Sequence, residues 1–281
     1  MTHDVPPKPS AAPPTNSVSP SPRDFLDQLF GMEGQVAVVI GGTGVLGGAI
    51  SEGLASAGAT VVIAGRGTER GEERVASIHR KGRQASYLPV DVTSHDSIRQ
   101  LLDEVVTRFD QVDMLVNCAG VNSAIPYEQI PDDEWDRVLQ ANLTATHWAC
   151  QSFAPRMSQQ PLGGSILNIG SVSAHLPLSR VFAYSASKAA VVNLTQNLAR
   201  EYAGRNVRIN VLCPGFFPAE QNRKILDQER ISHIMRGTPM GRFGDPDELV
   251  GAALLLLSRK AGSFITGSDV YVDGGFTAMR F

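Results

Sequence analysis

The sequence predicts an α/β fold, one doubly wound parallel sheet of seven strands with helices on both faces. Three observations predict it. Short apolar runs rich in β-branched residues recur along the chain, as expected of strands buried on both faces. Helical patterns stand between them, which implies parallel pairing. The glycine-rich and polar signals fall where these runs end, and parallel sheets seat ligands beyond the carboxyl ends of their strands.

Taken in order, residues 1–23 read as a disordered tail. Seven prolines lie among Ser, Thr and Ala, and large apolar residues are nearly absent. Such a segment buries too little surface to offset its ordering entropy. The domain then covers 24–281, and 24–30 is expected to form a short amphipathic turn or two against it. The first strand is 35–40, followed by Gly41-Gly42-Thr43-Gly44-Val45-Leu46-Gly47-Gly48 and a helix that Gly58 stops. The second strand is 60–64, ending in Gly65-Arg66, with a charged stretch at 69–74. The third is 85–90, ending in Asp91-Val92. A helix over 93–108 is capped at Thr93 or Ser94. Strand 114–117 ends in Asn117-Cys118-Ala119-Gly120, and 131–153 holds one or two helices. Strand 165–169 leads to Gly170-Ser171, and a long helix carrying Tyr184 and Lys188 runs to about Tyr202. Strand 207–212 ends in Pro214-Gly215. Residues 216–240 are a polar insertion expected to cover substrate, a helix spans 245–258, and 269–272 is the last strand.

The totals exclude several function classes. Net charge is −3, so no broad basic field points to nucleic acid or an anionic membrane. No apolar run reaches the ~20 residues of a membrane span. Cys118, Cys150 and Cys213 are odd in number and widely spaced. Neither a disulfide framework nor a metal site is expected, and a reducing cytoplasm fits.

Two motifs carry chemistry. Gly42-x-Gly44-x-x-Gly47 follows a strand and opens a helix, the setting in which a tight turn admits a pyrophosphate to a helix N-terminus. Gly41, Thr43, Gly44, Val45, Leu46 and Gly47 are therefore candidate dinucleotide contacts on a Rossmann-type sheet. Gly65 stands where an acidic residue would hold a ribose 2′-hydroxyl, and Arg66 follows it; a guanidinium there suits a 2′-phosphate and can stack on adenine, favouring NADP over NAD. Tyr184 and Lys188 lie one helical turn apart on one face. An ammonium beside a phenol favours the phenolate, so the pair is a candidate acid/base device for a hydroxyl or carbonyl oxygen.

With these residues assembled, about 30–281 resembles a classical short-chain dehydrogenase/reductase. The glycine turn, Asn117-Cys118-Ala119-Gly120 in place of the family's Asn-Asn-Ala-Gly, Tyr184-x-x-x-Lys188, Ser171 and Asn142 carry the resemblance. It implies that Tyr184 passes a proton to or from the substrate and that Ser171 orients the substrate oxygen. Lys188 would lower the Tyr184 pKa and bind the nicotinamide ribose, and Asn142 would hold a relay water. Asn142 bonding a backbone group is the competing reading. By resemblance Asp91 and Val92 flank adenine, and Asn117, Ala119, Gly120, Pro214, Gly215 and Phe217 lie along the cofactor. Asn117 would also tie neighbouring strands. The turn departs from the family at Ile40 and Val45, and Ala219 replaces a threonine that often contacts the carboxamide.

A narrower resemblance, in Pro214-Gly215-Phe216-Phe217, Glu220-Gln221-Asn222-Arg223 and 238–244, is to short-chain enzymes of the gluconate 5-dehydrogenase and mannonate/fructuronate oxidoreductase type. It implies a small-molecule sugar-acid substrate. A carboxylate wants a guanidinium fork and hydroxyls want amide and imidazole partners, so Arg180, Arg223, Gln221, Asn222, His175 and Asn122 are candidates. Each competes with a plain surface, interface or loop role. Alternatives are a 3-oxoacyl thioester reductase and, in a different class, a non-catalytic NAD(P)-sensing protein. Homo-oligomers, tetramers or dimers, are implied by the family alone.

Overall fold

The computed structural model describes residues 21–217 and 228–278. Seven strands, β1 (Val36–Ile40), β2 (Thr60–Gly65), β3 (Ala85–Pro89), β4 (Met114–Asn117), β5 (Gly164–Ile169), β6 (Val207–Pro214) and β7 (Asp269–Val272), form one sheet in the order β3-β2-β1-β4-β5-β6-β7. Every pairing is parallel. β1 pairs with both β2 and β4, so the winding reverses there and the carboxyl ends of β1 and β4 part to leave a crevice.

The strands read as continuous apolar runs because both faces are covered. Along β1, Ala37 and Val39 face one core with Val61 and Ile63, while Val36, Val38 and Ile40 face the other with Val62 and Ala64. The first core is closed by α2 (Val45–Ser56), α3 (Thr68–Arg80) and the last helix, through Ile50, Leu54, Val75, Ile78 and Leu256. The second is closed by α4 (His95–Phe109), α6 (Ala145–Ser158) and α7 (Phe182–Tyr202), through Ile98, Leu101, Phe153 and Ala199. The remaining helices are α1 (Pro22–Phe30), α5 (Asp132–Leu139), α8 (Gln228–Gly237) and α9 (Val250–Leu257). Among the described residues no helix is long and apolar enough to cross a membrane.

The structure corrects the sequence reading in several places. Residues 1–20 of the expected tail lie outside the described residues, while its end is helical: the Ser21 hydroxyl accepts from the Asp24 amide and the Asp24 carboxylate from the Ser21 amide, a capping box that starts α1 at Pro22. This helix buries none of its residues, so it packs less than expected. The stretch at 69–74 is not merely charged but lies within α3, which buries Gly71, Val75 and Ile78 along one stripe. Ser94, not Thr93, caps α4. The helical region after Pro131 runs on to Ser158, through a π turn at Gln140–Thr144 and past Pro155. The helix expected at 245–258 begins as a 3-10 turn, Pro246–Leu249.

Candidate active site

The β1–α2 turn is built by close backbone approach. Gly41 has φ +88 and a methyl on it would stand 2.5 Å from the Ala119 nitrogen, so only glycine lets this turn touch the loop after β4. A methyl on Gly47 would meet the Gly41 carbonyl at 2.3 Å. Gly44 caps α2 with no side-chain bond, and the first turn carries no acidic residue. Its amides and the positive end of its dipole therefore face the crevice, ready for phosphate.

One cleft of about 510 Å3 runs from this turn to the Tyr/Lys pair, lined by Gly41, Thr43–Gly47, Cys118, Gly120, Ile169, Tyr184 and Lys188. On its other side stand Arg70, Glu73, Arg74 and Ser77 of α3. None of these four was legible as a site residue. The spacing of Gly71, Val75 and Ile78 was the signal that would have placed them on a helix beside the turn.

Lys188 is buried; its ammonium lies 5.6 Å from the Tyr184 ring centroid and donates to the Ile169 carbonyl at 2.7 Å. Burial pulls its pKa down to about 8. Tyr184 behaves opposite to the expectation. Burial of its hydroxyl pushes the phenol above its usual value, and the hydrogen bond with Ser171 only partly opposes this. Ser171 is buried after β5 and its hydroxyl accepts from the Ser173 amide at 3.1 Å and pairs with the Ser173 hydroxyl at 3.0 Å.

Asn142 sits in the π turn, fully buried. Its amide group donates to the Val121 carbonyl (3.0 Å) and to the Ser187 hydroxyl (3.0 Å), and its Oδ1 accepts from the Val121 amide (2.7 Å). Ser187 in turn donates to the Tyr184 carbonyl at 2.7 Å. The Asn142 side chain thus ties the loop after β4 to the catalytic helix, which is the backbone-bonding reading. Asn117 likewise points into the core: its Nδ2 donates to Asn168 Oδ1 (2.8 Å), and Asn168 Nδ2 donates to Thr195 (2.9 Å), a buried polar chain joining β4, β5 and α7.

The other expected contacts divide. Ala119 and Gly120 stand against the glycine turn and the Asn142/Lys188 pair. Arg66 is exposed and outside the cleft lining, though close enough that its charge helps lower the Asp91 pKa; the Thr93 bonds to that carboxylate are the larger cause. Val92 is packed against the second core. Pro214 ends β6 and Gly215 abuts Asp273. Phe217 is buried against Gly244, where it lines a second cavity with Tyr271 and Met240. On the substrate side, His175 is exposed with its ring edge toward Tyr271, Arg180 is exposed with φ +64, and Asn122 is partly buried with its Oδ1 taken by the Ser123 amide. Gln221, Asn222 and Arg223, with the rest of 218–227, lie outside the described residues. Among the described residues no cluster of His, Cys, Asp or Glu could hold a metal.

An uncapped helix end, a glycine cradle that side chains would fill, and the Tyr184/Lys188 pair at the far end of the same cleft fit a dinucleotide with its reacting end at Tyr184. Known proteins agree. A family model described as enoyl-(acyl carrier protein) reductase matches residues 43–277. The 5-keto-D-gluconate 5-reductase of Escherichia coli is 32% identical over 251 residues, 89% of this chain and 98% of that protein. A 3-oxoacyl-[acyl-carrier-protein] reductase of Aquifex aeolicus is 36% identical over 245 residues, 87% and 98% of the two chains. The solved gluconate 5-dehydrogenase of Burkholderia cenocepacia, in complex with NADP and tartrate, superposes with a TM-score of 0.86 at 32% identity, covering 91% of this chain and all of that one (100%).

Proposed function

The chain belongs to the short-chain dehydrogenase/reductase family, and from this premise we propose that it is an NADP-dependent oxidoreductase interconverting a secondary alcohol and a ketone on a sugar acid, of the gluconate/5-ketogluconate or mannonate/fructuronate type. The observation that carries the reaction class is the single cleft linking the glycine turn to Tyr184 and Lys188. The names of the relatives support the substrate class, and polar His175, Arg180 and Asn122 around the loops after β4 and β5 are consistent with it.

NADP, when bound, supplies or accepts the hydride; the protein supplies position and the proton. The turn Gly41–Gly47 and the amides of α2 would hold its phosphates. Ser171 donates to or accepts from the substrate oxygen and holds it beside Tyr184. Tyr184, protonated at neutral pH, gives its proton to a ketone oxygen as that oxygen gains charge. Lys188 fixes the base of the site through Ile169, and Asn142 holds the loop and helix that frame it. The same reading makes the protein a cytoplasmic homo-oligomer.

The test is NADPH oxidation with 5-ketogluconate, fructuronate and 3-oxoacyl thioesters, and NADP reduction with gluconate and mannonate. Turnover is expected on a sugar-acid pair. Turnover on the thioester alone would replace the substrate class with the fatty-acid one. Tight NADPH binding without turnover on any carbonyl would leave a sensing protein.

A further inference from the structure

We propose that Cys213, seated by Tyr271 of β7, is a positioning residue for Ser171: it holds the serine backbone so that the hydroxyl meets the substrate oxygen beside Tyr184. The proposal rests on the reading that Ser171 orients that oxygen in an alcohol/ketone reaction.

Cys213 is fully buried on β6 and stands in register with Tyr271 on β7, so the two side chains share one face of the sheet. The thiol rests against the chain leaving β5. A methyl on Gly170 would stand 2.6 Å from the Cys213 sulfur, so the sulfur sits on the bare Cα of the residue before Ser171. The Gly170 amide donates to the Leu212 carbonyl at 2.8 Å, and the next amide, that of Ser171, donates to the Cys213 sulfur. The Tyr271 hydroxyl donates to Asp269 Oδ2 at 3.3 Å and pairs with the same thiol. A thiol is a weak donor through its hydrogen and a weak acceptor through its sulfur. With the Tyr271 hydrogen directed to Asp269, the thiol hydrogen points to the Tyr271 oxygen, and the sulfur is left to accept from Ser171. Burial keeps the thiol protonated, with its pKa up at about 11, so this direction holds at neutral pH.

Tyr271 also grips the other end of the serine loop. His175 follows the 3-10 turn Val172–Ala174, and its ring meets the Tyr271 ring edge-on at 5.9 Å between centroids. Residues 171–175 are thus tied to β7 at both ends, through Cys213 at the first and the phenol ring at the last. Within the loop the Ser173 amide and hydroxyl orient the Ser171 hydroxyl. Cys213 fixes the backbone from which that hydroxyl projects. A reacting group displaced by about 1 Å loses rate up to ~100-fold without losing the ligand. A thiol that merely filled the core would act on stability and not through Ser171.

The experiment follows single-turnover NADPH oxidation by the full chain, with enzyme in excess, on 5-ketogluconate, fructuronate and a 3-oxoacyl thioester. NADPH affinity is read by fluorescence titration. On a carbonyl that the native protein reduces, Cys213→Ala should slow the reaction about 10-fold with NADPH affinity unchanged, which also shows that the variant is folded. Cys213→Ser keeps a donor and an acceptor at the same point and should retain at least about half of the native rate. Tyr271→Phe should slow the reaction about threefold. In a Ser171→Ala background, Cys213→Ala should cost less than about twofold, because the group it positions is gone. A native rate in Cys213→Ala overturns the proposal, as does a Cys213→Ser variant no faster than the alanine one. An equal loss with and without the Ser171 hydroxyl makes Cys213 a packing residue and leaves the reaction class standing. If Cys213→Ala fails to bind NADPH, Tyr271→Phe in the two backgrounds decides by the same comparison. A native protein that reduces no carbonyl sinks the reading and the proposal together.

Discussion

Tyr184 keeps its proton because burial of its hydroxyl costs the phenolate more than Ser171 returns. Near neutral pH the group is an acid, suited to ketone reduction, and the base needed for alcohol oxidation becomes available only as pH rises. In the free enzyme's kcat/KM profiles, reduction should hold up through neutral pH and oxidation should keep climbing as pH rises above neutrality. An oxidation rate flat across that range would contradict the raised phenol. Tyr184→Phe should lower kcat at least about 100-fold in both directions with NADPH affinity retained. Retained turnover would remove Tyr184 from the proton path. The pairing of Tyr184 with Lys188 was legible from spacing alone, since a helix places residues four apart on one face. The sign of the pKa shift was not, because it depends on how deeply the packed cleft buries the hydroxyl.

At the scale of elements, helix ends show how distant chain segments complete one another. Arg208 on β6 carries no carboxylate partner in its described bonds. It donates instead to the carbonyls of Leu256 (2.8 Å), Leu257 (3.2 Å), Ser258 (2.9 Å) and Ile265 (3.1 Å) and to the Ser165 hydroxyl (2.6 Å). It thereby satisfies the carboxyl end of α9 and favours its dipole, and burial lowers its pKa to about 10. Arg208→Met should cost about 3 kcal/mol or more in urea unfolding, because several buried carbonyls lose their donors together. Arg208→Lys should recover less than half of that, lacking the fork. A loss below about 0.5 kcal/mol for the Met variant would show that these bonds are replaced by water. The sequence shows β6 as an apolar strand but gives Arg208 no partner, since residues 43 to 57 positions away provide them. The π turn at Gln140–Thr144 is similar. It aims Asn142 at Val121 and Ser187, and nothing in the local pattern marks it.

Over the whole molecule, buried titratable groups set how stability responds to alkali. Burial raises Cys150 to about 12 and Cys213 to about 11, above the ~8.5 of an unfolded thiol. These thiols stay protonated in the fold while the unfolded chain ionises, so they take stability away as pH rises past ~8.5. Cys118, partly open to the cleft, weighs less in the same direction. Lys188 works against them. With a folded pKa of about 8, below the ~10.4 of an unfolded lysine, the fold binds fewer protons and its stability rises between those values. Two thiols outweigh one lysine, so unfolding free energy under reducing conditions should fall by about 1 to 2 kcal/mol per unit between about pH 9 and 10. Lys188→Met should make that fall steeper. A stability constant or rising over this window would show that the thiols ionise in place.

What the sequence by itself determined is the scaffold and the identity of the reacting groups. Buried parallel strands must be continuous apolar runs, a phosphate turn must be glycine-rich, and Tyr184 and Lys188 need only a helix to share a face. All three are local requirements written in contiguous residues. Only the tertiary structure decided the charges and the second wall of the cleft. Arg70 and Arg74 line the cleft because α3 packs beside α2, with Arg74 bound to Glu52. Tyr184 holds its proton because the packed cleft buries its hydroxyl. Electrostatics in a low-dielectric cleft depends on which distant groups arrive there and how much water they displace, and no spacing along the chain encodes that.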